Sequence, residues 1–331
     1  MPRLTDDFVP ATALSNGHAQ TFFAALRRKP IRPPLTRRRF DTADGDFIDV
    51  DVLHGDSSAP TVLLLHGLEG SSSSTYVTET LRVLAARRWN AWALNFRGCS
   101  GEPNRVAASY SSGDTRDLAF LAAQLPGPRF AIGFSLGASV LLNGLARLRV
   151  PLDAAVAVSA PFQLATSAKA IDAKGGFGPV YLNHFLPSLK RKALVAAQRF
   201  SSVLDAEAIA AVTTIRDFDH HVTARVFGFS SAEDYYARCS TAPVLGDVRT
   251  PTLIITAEDD AIAPAGALPH GVNEHHALHV LRTKHGGHVG YASGSPLNPR
   301  WWAEHRAVEW LAARLGAPTG SSDSAGSTTS W

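Results

Sequence analysis

The chain has 331 residues, 45% of them hydrophobic and 18% charged, with a formal net charge of +3. That supports a globular core and one large α/β domain with an insertion, or two domains. The charge balance gives no case for nucleic acid, the two cysteines, Cys99 and Cys239, build no disulfide framework, and no apolar run approaches a membrane span. The first residues, "MPRLTDDFVPATAL", lack the basic-then-apolar pattern of a secretory signal. The expectation is a cytoplasmic protein without stable membrane insertion.

The basic, proline-rich segment "RRKPIRPPLTRRR" (27–39) reads as an extended arm on a domain surface with its charges in water. It has no helical apolar face, which argues against an amphipathic membrane anchor and leaves only peripheral membrane contact open. From Phe40 strands and helices alternate. "FIDVDVLH" (47–54) alternates like an antiparallel strand, and "APTVLLLHG" (59–67) is a continuous apolar run of the kind buried on both faces. Helical spacing over 75–89 leads to a buried strand over 90–98, and a helix over 115–125 to a strand over 129–134. A helix over 136–148 precedes a strand over 152–161. This rhythm predicts a mostly parallel, doubly wound sheet with helices on both faces. It breaks over 162–247, where helical stretches such as "VYLNHFLPSLKRKALVAAQ" carry no clear buried strand. It resumes with "TPTLIITAEDD" (250–260), "ALHVLRTKHGG" (277–287) and "WWAEHRAVEWLAARL" (301–315). The expected organisation is an arm and the first part of a core over 1–161, a helical lid insertion over 162–247, the second part of the core over 248–315, and a low-complexity, disordered tail over 316–331.

One short stretch then carries chemistry. In "RFAIGFSLGASV" (129–140), Ser135 stands in G-x-S-x-G between a predicted strand and a predicted helix. A nucleophile on such a sharp turn projects above the sheet edge, glycines two residues to either side relieve crowding, and the helix N-terminus favours developing negative charge. A serine hydroxyl needs a base, and the base an orienting carboxylate, in the chain order Ser, acid, His. Glu258, Asp259 and Asp260 follow one buried strand, and His285 and His288 follow the next. All fall at strand carboxyl ends, where open α/β sheets place ligands. An oxyanion hole is expected from the backbone N–H of Leu136, after the serine, and of Leu68, after His66-Gly67 in "LLLHGLEGSSSS". His66 reads as a loop-shaping residue rather than a metal ligand, because no partner stands at metal spacing.

Taken together, "NGHAQTFF" (16–23), "LLHGLEGSSSSTYV" (64–77), "NFRGCSGEPNR" (95–105), "GFSLGA" (133–138), "IRDFDHH" (215–221), "PTLIITAEDDAIAP" (251–264) and "HGGHVGY" (285–291) resemble the α/β-hydrolase fold, and within it the YheT-like group, also called the AB hydrolase-4 family. The resemblance runs to about Leu315. It implies an esterase or lipase acting on acyl esters, a small-molecule ester or lipid substrate, and no metal or organic cofactor. It places the acid on Asp260, with Ala261 where the family has proline and Asp259 as the rival, and the base on His288. Asp114 is expected to cap the following helix, and Arg97 and Glu102 to hold a loop at the rim of the site. Cys99 shows no neighbour that would make a reactive thiolate. Asn16, His18 and Gln20 are candidates for lining the pocket. Two further readings stay beside the hydrolase: an acyltransferase that passes the acyl group to an alcohol, and a non-catalytic binding protein on the same scaffold.

Overall fold

The computed structural model describes residues 7–107 and 109–315. The expected tail over 316–331 lies outside the described residues. Before the sheet, helix α1 (Gly17–Arg27) leads into β1 (Thr36–Asp41) and β2 (Phe47–Leu53). The core then alternates through β3 (Thr61–Leu65), α2 (Thr75–Ala86), β4 (Asn90–Asn95), α3 (Arg116–Ala122), β5 (Arg129–Phe134), α4 (Leu136–Asn143) and β6 (Ala154–Val158). A helical block follows: α5 (Leu164–Ile171), α6 (Gly178–Arg199), α7 (Ala206–Ala211), α8 (Ile215–Phe218), α9 (Ala224–Phe227) and α10 (Ala232–Cys239). The core resumes with β7 (Thr252–Ala257) and β8 (Leu278–Thr283), a small hairpin of β9 (Ala292–Ser295) and β10 (Asn298–Trp301), and α11 (Trp302–Ala312).

Eight strands form one sheet in the order β1-β2-β4-β3-β5-β6-β7-β8. The pairings β1–β2 and β2–β4 are antiparallel and the remaining pairings of that sheet are parallel. The mostly parallel, doubly wound sheet is therefore as expected. All residues of β3 and β6 are buried, which is why these strands read as continuous apolar runs. Their side chains alternate between two cores. Leu63 and Leu65 pack with Trp92, Leu118 and Leu141 on one face, while Val62 and Leu64 pack with Leu81, Phe130 and Trp310 on the other. The helical block keeps its own core around Leu164, Tyr181, Leu189, Phe218 and Tyr235. Among the described residues no helix is long and apolar enough to cross a membrane.

Two readings of polar residues change. β2 is antiparallel as its alternation predicts, yet all seven residues are buried. Asp49 and Asp51 lie beneath bidentate Arg39 and Arg37 of β1, directly across in register. The basic segment is thus exposed along most of its length but not simply a solvated arm. Part of it is an edge strand whose arginines cover two carboxylates, and Arg28 is 1% exposed, 3.1 Å from the equally buried Glu304. Cross-strand charge pairing needs the register, which composition does not reveal.

Arg97 is likewise a buried hub rather than a rim residue. Its guanidinium donates to Asp117 of α3 at 2.9 and 2.8 Å, to Asp44 at 2.7 Å and to Asp46 at 3.2 Å, joining α3 to the turn between β1 and β2. Glu102 pairs with Arg39 at 2.9 Å. Asp114 accepts from the Arg116 backbone N–H at 3.3 Å, one residue ahead of the observed cap Thr115. Replacing Arg97 by methionine would strand the buried Asp46 and Asp117 without a cation. The expected cost is about 3–5 kcal/mol, read as a lowered urea midpoint. A loss below about 1 kcal/mol, the scale of an exposed pair, would contradict the hub.

Candidate active site

Ser135 occupies the one-residue junction between β5 and α4, with φ 52° and ψ −120°. A serine rarely adopts this conformation, and holding it costs roughly 1–3 kcal/mol. The neighbours leave no looser path. A Cβ on Gly137 would stand 2.4 Å from the His66 carbonyl oxygen and 2.5 Å from that of Leu65, and a Cβ on Gly133 would meet the Gly137 carbonyl oxygen at 2.6 Å. Both glycines are therefore required by the close approach of α4 to β3 and β5. The Ser135 N–H is held by the Val158 carbonyl at 2.9 Å.

The ends of β7 and β8 bring Asp260 and His288 to this turn. His288 Nε2 lies 2.8 Å from Ser135 Oγ, across 153 residues of chain. His288 Nδ1 lies 2.9 Å from Asp260 Oδ2 and 3.2 Å from Oδ1. Asp260 also accepts from the N–H groups of Ile262 and Ala263 at 2.9 and 2.8 Å. These two bonds close the turn at Ala261. The rival pair associates separately: His285 Nδ1 lies 3.4 Å from Asp259 Oδ2, and Asp259 Oδ1 accepts from the Gly287 N–H at 2.8 Å. Glu258 is exposed.

His66 is fully buried beneath the facing loop. Its Nδ1 is 2.7 Å from the Gly67 carbonyl oxygen and its Nε2 3.1 Å from the Phe96 N–H. Those partners require a proton on Nδ1 and a lone pair on Nε2, a neutral ring, and burial lowers its pKa to about 4. The Gly67 and Glu69 N–H groups donate to the hydroxyls of Tyr76 and Tyr110 at 2.9 and 2.7 Å. Among the described residues neither the Leu68 nor the Leu136 N–H donates to a protein acceptor.

Residues that sequence reasoning missed hold the histidine loop from behind. Thr21 Oγ1 of α1 accepts from the His288 N–H at 2.9 Å. Gly17 packs so tightly on the Asp259 carbonyl, and Gly287 on that of Gly17, that a Cβ on either would stand about 2 Å from oxygen. Arg28 donates to the carbonyls of Val289 and Gly290 at 2.8 and 2.6 Å. Val289 and Tyr291 both have positive φ, as does Ser159, whose Oγ accepts from the Val289 N–H at 3.2 Å. Asn16 caps α1, Gln20 bonds both backbone groups of Ala292, and His18 meets the Tyr181 hydroxyl at 2.8 Å. None of these three lines the cavity beside Ser135. The "NGHAQTFF" motif is the signal that pointed here, but its contacts are long-range and the motif alone does not disclose them.

A cavity opens beside Ser135 between the sheet and the helical block. Ser135, His288, Leu68 and Leu136 lie on one side, and Leu164, Ile171, Phe185, Leu189, Ile215 and Phe218 on the other. Burial pushes the Cys99 thiol up to about 11, away from thiolate reactivity. Among the described residues no group of three or more His, Cys, Asp or Glu is arranged to hold a metal ion.

The profile of the alpha/beta hydrolase family matches residues 62–317. The chain is 36% identical over 323 residues to YheT of Escherichia coli (strain K12), covering 94% of each. It is 26% identical over 312 residues to the phospholipase ABHD3 of Homo sapiens, covering 88% of this chain and 75% of that one. A solved esterase from Pyrococcus furiosus, PF2001, shares the fold with a TM-score of 0.52 at 15% identity, over 95% of this chain and 94% of the other. The chain belongs to the alpha/beta hydrolase family, in a branch whose relatives carry esterase and lipase names.

The neutral His66 has a measurable consequence. The free imidazole titrates near 6.5 and the folded one near 4, so the unfolded chain takes up the proton first as pH falls. Stability from this group is complete above about pH 6.5 and declines toward pH 4, by about 2 kcal/mol at pH 5. Imidazole titration by NMR, alongside urea unfolding at both pH values, checks it. A His66 midpoint near 6.5 in the folded protein would contradict the assignment.

Proposed function

We propose that this chain hydrolyses carboxylic esters through an acyl-enzyme on Ser135. The observation that carries the reading is the unbroken line from Ser135 Oγ through the His288 ring to Asp260, at 2.8 and 2.9 Å. His288 Nε2 takes the hydroxyl proton as Ser135 Oγ attacks the ester carbonyl. Asp260, held by two backbone N–H groups, keeps the Nδ1–H tautomer and stabilises the imidazolium. The oxyanion forms beside the Leu68 and Leu136 N–H groups, which have no competing protein acceptor among the described residues. The protonated His288 gives its proton to the leaving alcohol. It then draws a proton from water, whose oxygen attacks the acyl carbon and frees the carboxylic acid and Ser135.

The helical block serves as a lid, and its apolar side chains, Leu164, Ile171, Phe185 and Leu189 among them, bind the acyl chain of a small-molecule ester or lipid. No step calls for a metal or organic cofactor. A reducing compartment, the cytoplasm, suits the two free thiols, both pushed up to about 11 by burial.

The Ser135→Ala variant is expected to lose kcat/KM toward p-nitrophenyl esters by roughly 10⁴–10⁶-fold and to lose covalent labelling by a fluorophosphonate, with its unfolding midpoint retained. Activity surviving in the purified variant would overturn the reading. Adding an alcohol during turnover distinguishes acceptors: a dominant free-acid product supports hydrolysis, and a dominant new ester would move the assignment to acyl transfer.

A further inference from the structure

One wall of the cavity beside Ser135 does not suit a plain hydrocarbon chain. Asp219 lies in the π-helical stretch Asp219–Thr223 between α8 and α9 and lines that wall. Thr223 Oγ1 donates to Asp219 Oδ1 and the Tyr236 hydroxyl to Oδ2, both at 2.7 Å. Among the described residues no Lys, Arg or His pairs with this carboxylate. Burial pushes its pKa up to about 6. On α5, across the same cavity, Ser167 is 7% exposed and its buried Oγ has no partner among the described residues.

A packing role alone does not explain this arrangement. Joining α10 to the turn needs only a neutral acceptor for Tyr236 and Thr223, which an asparagine oxygen supplies in part. A carboxyl group has more hydrogen-bonding positions than the two that Thr223 and Tyr236 fill. Filling the cavity there with hydrocarbon would desolvate the carboxyl group and leave a buried hydroxyl unpaired, both unfavourable. A ligand donor placed between them would satisfy both.

Resting on the Ser135 reading above, we propose that Asp219 and Ser167 form a specificity site for a hydroxyl group on the acyl chain, so that the preferred substrates are esters of hydroxylated rather than plain fatty acids. The substrate hydroxyl donates to Asp219 and accepts from the Ser167 hydroxyl, while the surrounding leucine, isoleucine and phenylalanine side chains pack its methylene groups. An apolar pocket without such a cluster would disfavour the same hydroxyl, because entering it costs the group its water. The sign of the preference is therefore diagnostic.

The test compares kcat/KM for p-nitrophenyl octanoate with that for hydroxyoctanoates bearing the hydroxyl at successive positions in the distal half of the chain. At least one isomer is expected to exceed the plain ester by about tenfold, the scale of one charge-assisted hydrogen bond. In Asp219→Asn the ratio for that isomer falls to about one or below, and in Ser167→Ala it falls part of the way. Fluorophosphonate labelling of each variant confirms that the site is assembled. A wild-type preference for plain octanoate over every isomer would overturn the proposal, as would a tenfold preference that survives Asp219→Asn. Calorimetric titration of Ser135→Ala with the corresponding free acids reads the same preference without turnover. Absent turnover and labelling therefore count against the nucleophile, and equal binding of plain and hydroxylated acids counts against Asp219.

Discussion

Ser135 stands where strand and helix meet with no residue to spare. The strand brings Ser135 to the carboxyl edge of the sheet and the helix leaves at once, so the serine takes a positive φ and its Oγ points outward. The cost is tolerable because β5 is locked between β3 and β6 in register, with Gly133 opposite Leu65 and Ala157. Gly133 and Gly137 let the helix close to within contact of the β3 backbone. The same approach sets the loop after β3 directly against the serine, since a Cβ on Gly67 would lie 3.1 Å from that of Ser135. In the proposed mechanism the Leu68 and Leu136 amides share one oxygen, and this turn is what would bring them together.

The opposite side of the site is built from segments remote in sequence. The loop that carries His288 is pressed from one direction by α1 and gripped from another by Arg28, whose partner Glu304 sits on α11. Positive-φ residues cluster at these points: Ser135, Ser159, Val289, Tyr291 and Glu69. Strain concentrated around one cleft, over-determined by packing, is the pattern of a preorganised site. The helical block has a core that Ile262 joins and that Phe22 and Leu68 pack against, with polar ties that include Lys192 to Glu69 at 2.9 Å and His18 to Tyr181 at 2.8 Å.

The sheet was legible in the chain because burial on both faces writes itself as uninterrupted apolar runs, as in "TVLLL" and "AAVAV". Ser135 was legible because its turn demands glycines at fixed offsets. Asp260 and His288 were narrowed from five candidates by family resemblance, whereas in the fold the rivals Asp259 and His285 face each other. What stayed hidden shares a physical cause. Arg28, Arg37, Arg39 and Arg97 look like unpaired solvated charge, and the burial of Arg28 and Arg97, like the pairing of Arg37 and Arg39, depends on carboxylates that only register or tertiary contact brings near. The role of α1 also escaped, since Gly17 and Thr21 act through contacts with residues more than two hundred positions away. Asp219 was visible only as part of a family motif. Its meaning arises from the cavity it faces.

The central claim is that Ser135, His288 and the two leucine amides act on one reacting centre. A crystal structure of the protein after reaction with an alkyl fluorophosphonate tests it most directly, because the tetrahedral adduct mimics the species formed when an ester is attacked. The account predicts phosphorus bonded to Ser135 Oγ, the phosphoryl oxygen within about 3 Å of both the Leu68 and Leu136 nitrogens, and the alkyl chain in the cavity beneath the helical block. A phosphonate on another side chain, or a phosphoryl oxygen turned away from both amides, would contradict it.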